Sequence, residues 1–200
     1  VSVSGLAHGP KPVREVVTQA LAAARNALFS LGIKQELDTR EIAKISAGDC
    51  TSCLTCVRSC PYSVPKIGAE EYPQNGKQGR AFIDIFRCQG CGTCVSECPA
   101  GAISIERFSD EVMLESGILG GPSVTVLCCR YCGNIPVELA GTGRHQYPAD
   151  VKVVDVPCTG FITSRHILGA SEQGAKGVLV HACPEGTCHH LTGNERAEKR

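Results

Sequence analysis

The apolar positions of this chain change period along its length. Over residues 12–31, PVREVVTQALAAARNALFSL, Val13, Val16, Val17, Ala20, Leu21, Ala24, Ala27, Leu28 and Leu31 recur at helical spacing. Pro12 suits a first turn and Gly32 a stop, so a helix is expected between them. Residues 1–11 ahead of it read as a short apolar strand and a glycine turn. Further on, the apolar runs shorten. VPKI (64–67), AFIDIF (81–86) and AISIE (102–106) read as small strands, and the polar EEYPQNGKQGR (70–80) as a hairpin tip or surface loop. From residue 123 the pattern changes again. SVTVL, VKVVDV and GVLVHA are β-branched or aliphatic, and FITSRHILGASEQGA, between the second and third, reads as a helix. Strand alternating with helix predicts a parallel βαβ arrangement.

Composition shows why these elements need help. The chain has 200 residues, no Trp, nine Phe and Tyr together, and 14 Cys. An aliphatic core divided over two small domains is marginal, so the cysteines are expected to contribute to holding it. Disulfides are not the expected form. VSVSGLAHGPKP lacks the basic start and apolar stretch of a secretory leader, and the C-x2-C spacing is that of metal or cluster ligation. Lys plus Arg equals Asp plus Glu, which offers no phosphate-binding surface, so nucleic acid is not an expected partner. The longest charge-free apolar stretch, 116–129, is too short and too broken by Gly and Pro to span a bilayer. A soluble cytoplasmic protein in a reducing compartment is expected.

Two stretches carry the chemistry. CTSCLTCVRSCP (50–61) and CQGCGTCVSECP (88–99) repeat every cysteine at an offset of 38, and each ends in proline. Three thiols two residues apart can wrap three corners of a cube, and small residues between them let backbone N–H groups approach. Gln89-Gly90 and Gly92-Thr93 meet that need better than Thr51-Ser52 and Leu54-Thr55. The fourth cysteine follows the third by four positions, the spacing of one helical face, and proline then stops the helix. A pair of zinc ribbons would use separate C-x2-C pairs instead.

Residues 44–107 thus resemble a bacterial-type two-cluster ferredoxin. CPAGAI (98–103) matches that family's ending; CPYSVPKI departs from the usual CPYGAI at Ser63 and Val64, which brings the local turn into question. In such proteins the fourth cysteine of each run ligates the other cluster. The resemblance therefore implies one [4Fe–4S] cluster on Cys50, Cys53, Cys56 and Cys98, and another on Cys88, Cys91, Cys94 and Cys60.

Six cysteines remain, and most follow a predicted strand. Cys128 and Cys129 follow SVTVL, with Cys132 just beyond; Cys158 follows VKVVDVP; Cys183 follows GVLVHA, with Cys188 five residues on. The carboxyl ends of parallel strands gather on one edge, so these thiols are expected to meet. CCRYC (128–132), YPADVKVVDVPCTG (147–160) and GAKGVLVHACPEGTCHHLTGNERAEKR (174–200) resemble the delta-subunit family of methyl-viologen-reducing hydrogenase. The chain departs from that family at Thr187, at His190 and in the additional Cys128. The resemblance implies one [2Fe–2S] cluster. Cys129, Cys132, Cys158, Cys183 and Cys188 are candidates for its four ligands, with Cys129, Cys132, Cys183 and Cys188 the favoured set, Cys158 an alternative ligand or neighbouring thiol, and Cys128 the spare. His189 and His190 offer a Rieske-type alternative, and His181 at a strand end reads as a core histidine.

VSVSGLAHGPK followed by the alanine-rich helix resembles the last strand and helix of the flavoprotein component of heterodisulfide reductase. That resemblance implies FAD on an adjoining part, with Gly5, Ala7, His8 and Gly9 nearest to it, where a helix N-terminus favours negative charge. A connecting helix packed on the ferredoxin domain is the other reading.

The expected fold class is an α+β ferredoxin-like two-cluster domain followed by a small α/β domain. The expected layout is a flavoprotein-like strand and helix (1–43), the ferredoxin domain (44–107), a linker (108–122) and the delta-subunit-like domain (123–200). Both ends look cut from a longer polypeptide. The expected function is electron transfer between the [2Fe–2S] site, the two cubes and a flavin. The expected partners are a flavoprotein of heterodisulfide reductase type and subunits of a hydrogenase or formate dehydrogenase, in a cytoplasmic complex of anaerobes. Any flavin-based electron bifurcation in that complex falls on the flavoprotein. No Cys–His pair with an orienting carboxylate and no phosphate loop suggests independent catalysis. A zinc-stabilised interaction module and a stand-alone redox enzyme using the α/β half are the alternatives.

Overall fold

A computed structural model describes residues 12–31, 41–68, 79–115 and 123–200. The chain divides into two compact units, 1–38 and 39–200. In the first, α1 spans Val13–Ser30, where the helical period runs. Val13, Val17 and Leu21, one turn apart, are exposed.

The second unit begins with small antiparallel pairs. β1 (Ala43–Ile45) pairs with β4 (Ile103–Ile105), and β2 (Lys66–Ile67) with β3 (Ala81–Phe82). Ala43, Ile103 and Ile105 point inward from the first pair, as alternation requires. Two short helices follow the cysteine loops: α2 (Thr55–Ser59) and α3 (Thr93–Ser96). β3 is shorter than the alternating run AFIDIF, because a turn starting near Asp84 leads directly into the second cysteine run.

Residues 108–115, expected as linker, are helical. A 3₁₀ turn (Glu106–Phe108) and a π turn (Glu111–Glu115) bury Phe108 and Met113. These apolar groups are too few to give a period, but they join the core. Asp110 accepts a hydrogen bond from Arg165, and the Leu114 carbonyl accepts one from Gln173.

The remainder is a three-stranded parallel sheet in the order β6–β5–β7, formed by β5 (Val124–Cys129), β6 (Val151–Val156) and β7 (Gly177–His181). Central β5 is buried from Thr125 onward, as expected of a strand covered on both faces. α4 (Ile135–Thr142) connects β5 to β6, and α5 (Ser164–Glu172) connects β6 to β7. α5 starts later than the apolar pattern indicates because Thr163 caps it: His166 N–H donates to the Thr163 hydroxyl, and Thr163 N–H donates back to His166 Nδ1 at 3.1 Å. α6 (Gly193–Glu198) follows the last cysteines. One hydrophobic cluster runs from Ala43 and Ile105 through Phe108 and Met113 to Leu127, Val154 and Phe161, so both halves of this unit share a core. No helix among the described residues is long and apolar enough to cross a membrane.

Candidate metal centres

The two cysteine runs repeat in conformation as well as in sequence. Positive φ occurs at Ser52, Leu54 and Ser63 in and after the first run. It occurs at Gly90, Gly92 and Gly101, each 38 positions later, in the second. The first run therefore keeps with ordinary residues a path the second makes with glycine. The turn at Ser63, which the sequence brings into question, is formed. Its φ is 53° and its N–H donates to the Cys60 carbonyl at 3.2 Å, just as Gly101 N–H donates to Cys98. In the second run glycine is also sterically required. A Cβ at Gly90 would stand 2.5 Å from the Glu41 carbonyl, and one at Gly92 2.7 Å from the Phe161 ring.

These paths turn the thiols inward around two small recesses. One is lined by Cys50, Cys53, Cys56 and Cys98, with Ile45, Ala81 and Ile103 on its walls. The other is lined by Cys60, Cys88, Cys91 and Cys94, with Val64 and Ile83. Each recess takes three cysteines from one run and the last cysteine of the other. Burial, followed by the neighbouring thiols, pushes the Cys94 thiol well up from its ordinary value, and burial likewise raises Cys56 and Cys91. Cys53 is exposed, and hydrogen bonding with Thr55 lowers its pKa.

The other thiols gather at the carboxyl edge of the parallel sheet. Cys129 ends β5, Cys158 follows β6, and Cys183 and Cys188 follow β7; all four are buried together with Cys91 in one cluster, bordered by Tyr62, Tyr131 and Cys132. Cys129 and Cys183 sulfurs lie 3.5 Å apart. Burial raises Cys129 to about 11. Burial also opposes ionisation of Cys183, but hydrogen bonds from the His189 N–H and from Cys132 and Cys129 outweigh it, and its pKa falls. Cys132 faces Cys183 and Cys188; Cys158 faces Cys188 and Cys91. Cys128 is one residue out of phase on β5 and sits beside Asp155 instead.

Several residues of this edge carry no cysteine signature. The Tyr62 hydroxyl and His190 Nδ1 are 2.8 Å apart, joining the loop after Cys60 to the loop after Cys188. Burial, then His189 and Arg130, depress His190 to about 4; burial raises Tyr62 to about 12. His189 stacks on Tyr131 with ring centroids 3.6 Å apart. Asn194 donates to the Cys183 and Pro184 carbonyls at 3.1 and 3.0 Å, tying down the loop that carries two thiols. Arg130 pairs with Glu41 at 2.8 Å and Asp155 at 3.2 Å and lies over the Phe108 ring. The sequence offers position alone as a clue to these residues: Tyr62 and His190 each stand two places after a cysteine. His181, on β7, is half-buried opposite Cys128. Gly5, Ala7, His8 and Gly9 lie outside the described residues.

Among the described residues no group of three His, Cys, Asp or Glu is arranged to hold a single metal ion. The thiols stand around recesses, and an all-sulfur donor set framing a space suits a multinuclear cluster. The residues present fit iron–sulfur groups on that ground.

Comparison with known proteins agrees. Residues 49–115 match the 4Fe-4S dicluster domain family, and residues 124–200 match the family described as methyl-viologen-reducing hydrogenase, delta subunit. One segment of the chain thus matches a 4Fe-4S dicluster domain, and the segment after it matches the hydrogenase delta-subunit family. Over its whole length it is similar to the A component of the ferredoxin:CoB-CoM heterodisulfide reductase of Methanosarcina mazei, at 31% identity, spanning 25% of that protein. Its second half is 44% identical over 77 residues to the vhu iron-sulfur subunit of the F420-non-reducing hydrogenase of Methanopyrus kandleri, covering 38% of this chain and 58% of that protein. The corresponding protein of Methanocaldococcus jannaschii is 42% identical over 79 residues, 40% of this chain and 59% of its own length.

Proposed function

We propose that this chain is an electron-relay segment of a heterodisulfide-reductase- or hydrogenase-like complex. Cys50, Cys53, Cys56 and Cys98 hold one [4Fe–4S] cluster, and Cys60, Cys88, Cys91 and Cys94 the other. The third thiol group, Cys129, Cys132, Cys183 and Cys188 with Cys158 alongside, holds a [2Fe–2S] cluster. Such groups supply reversible one-electron exchange when bound. The chain's own part is to fix their spacing, exclude water and hold each thiolate. Buried thiols that resist ionisation as free groups give up their protons to iron, so assembly and folding are coupled. The outer partners are a flavoprotein carrying FAD, where any bifurcation takes place, and a component of a hydrogenase or formate dehydrogenase.

The observation carrying this reading is the three-plus-one composition of each cysteine recess. A zinc-stabilised module would use separate C-x2-C pairs in place of four cysteines in one run. Cys98→Ala tests it in the anaerobically purified chain. Its EPR spectrum after reduction should share the loss seen in Cys53→Ala, a variant of the first run. Sharing the loss seen in Cys91→Ala would contradict the assignment.

A further inference from the structure

We propose that the hydrogen bond between Tyr62 and His190 is a positioning contact that sets the interval between the second [4Fe–4S] recess and the thiol group at the sheet edge, and with it the speed of electron exchange across that interval. This deepens the relay reading above and rests on it.

The second recess is the one that meets the sheet edge. Its Cys91 is buried in one cluster with Cys129, Cys158, Cys183 and Cys188. Tyr62 packs both against that cluster and against the core shared by the two halves.

Two turns of the same form face each other there. After Cys60, the Ser63 N–H donates to the Cys60 carbonyl at 3.2 Å; after Cys188, the Leu191 N–H donates to the Cys188 carbonyl at 3.0 Å. Each turn ends on a residue of positive φ, 53° at Ser63 and 65° at Leu191, a region crowded for a side chain. Each carries a ring two places after its thiol, and these rings, Tyr62 and His190, share a hydrogen bond of 2.8 Å. A closed turn leaves its ring little freedom relative to the cysteine that starts it, so the bond fixes the Cys60 loop against the Cys188 loop. The His190 end is held firmly. It is 4% exposed, and its ring stands edge-on to Tyr131 and His189, with centroids 5.2 and 5.1 Å away. A separate tie, Ser96 donating to the Gly160 carbonyl at 2.6 Å, docks the turn after Cys158 on α3. Loss of the Tyr62–His190 bond therefore loosens the interval without parting the halves. Electron exchange falls steeply with distance, so a looser interval is a slower one. One electron passes in each event, one centre being oxidised by a unit as the other is reduced; Tyr62 and His190 keep their electrons and protons throughout.

The test uses the full chain, anaerobically reconstituted, as wild type, Tyr62→Phe, His190→Leu and His190→Asn, whose amide can reach the place of Nδ1. Iron and sulfide content and far-UV circular dichroism are measured. EPR of the fully reduced protein reads the spin–spin splitting between centres, and freeze-quench EPR reads their equilibration. All variants should keep the wild-type iron content, fold and splitting between the two [4Fe–4S] clusters. Tyr62→Phe and His190→Leu should show a smaller splitting between the second cluster and the sheet-edge centre, and slower equilibration; His190→Asn should recover both. A lowered melting midpoint with wild-type splitting and equilibration is the result of a merely structural bond and would overturn the proposal. Loss of the sheet-edge centre from both Tyr62→Phe and His190→Leu would overturn it too, since the pair would then serve assembly. Equal losses in the two His190 variants, with Tyr62→Phe like wild type, would assign the effect to ring packing and also overturn it. A misfolded His190→Leu leaves Tyr62→Phe, which removes one oxygen, to decide. If the wild type itself shows only the [4Fe–4S] signals, the relay reading fails and this inference with it, an outcome distinct from unaltered variants of a chain that shows all three.

Discussion

Ser63 illustrates how a single residue can be held against its own preference. Its φ of 53° lies where a side chain is crowded, and Gly101 occupies the same place in the second run at 61°. The residue stays there because its N–H closes the turn onto Cys60, and Cys60 must face the second recess. The left-handed conformation costs a non-glycine residue about 1–2 kcal/mol, and glycine gives back part of that through its freer unfolded chain. Ser63→Gly should therefore raise stability by about 1 kcal/mol and leave the spectra unchanged. Thermal unfolding of the anaerobic holoprotein measures it, and a lower midpoint than wild type would contradict the account. The departure from the ferredoxin ending is visible in the sequence, but whether the turn survives it is not. The outcome depends on strain against ligand placement, and no local pattern encodes that balance.

At the scale of elements, legibility follows period length. α1 and the three parallel strands carry long, uniform patterns and are readable. α2 and α3 are readable through the cysteine spacing. β1 has three residues, and α4 contains Pro136 and Gly141, so neither gives a pattern strong enough to recognise. The helical turns over 106–115 escape detection because their apolar groups are packed by α5, a distant part of the chain. That packing makes a pH prediction. His166, 3% exposed, stacks on Phe161, and its Nε2 stands 3.8 Å from Asp110. Burial lowers its pKa; Asp110 opposes this, while Arg165 and Arg200 add to it. The folded state thus holds this proton less tightly than the unfolded one. As pH falls through the unfolded value of about 6.5, the unfolded state protonates first, and stability falls until the lower folded pKa is passed. Melting midpoints of wild type and His166→Gln, compared from about pH 8 to about 6, should show a smaller loss in the variant. Parallel slopes would contradict this.

Across the whole second unit, the thiols are core as much as site. Cys50, Cys56 and Cys94 belong to the hydrophobic cluster that joins both halves, and the antiparallel pairs around them are two or three residues long. Two-stranded pairs of that size have no stability of their own in water, so they depend on the core they pack against, and on the proposed reading inorganic groups held by the thiols add to it. The placement of cysteines at strand ends is legible because parallel topology forces strand ends together. The shared core and the Tyr62 and Arg130 links across it are not, since they depend on how the halves dock. The most direct measurement is the iron and acid-labile sulfide content of the anaerobically purified chain. About ten of each per chain, for two [4Fe–4S] clusters and one [2Fe–2S] centre, is the predicted result. Zinc bound without sulfide would contradict it.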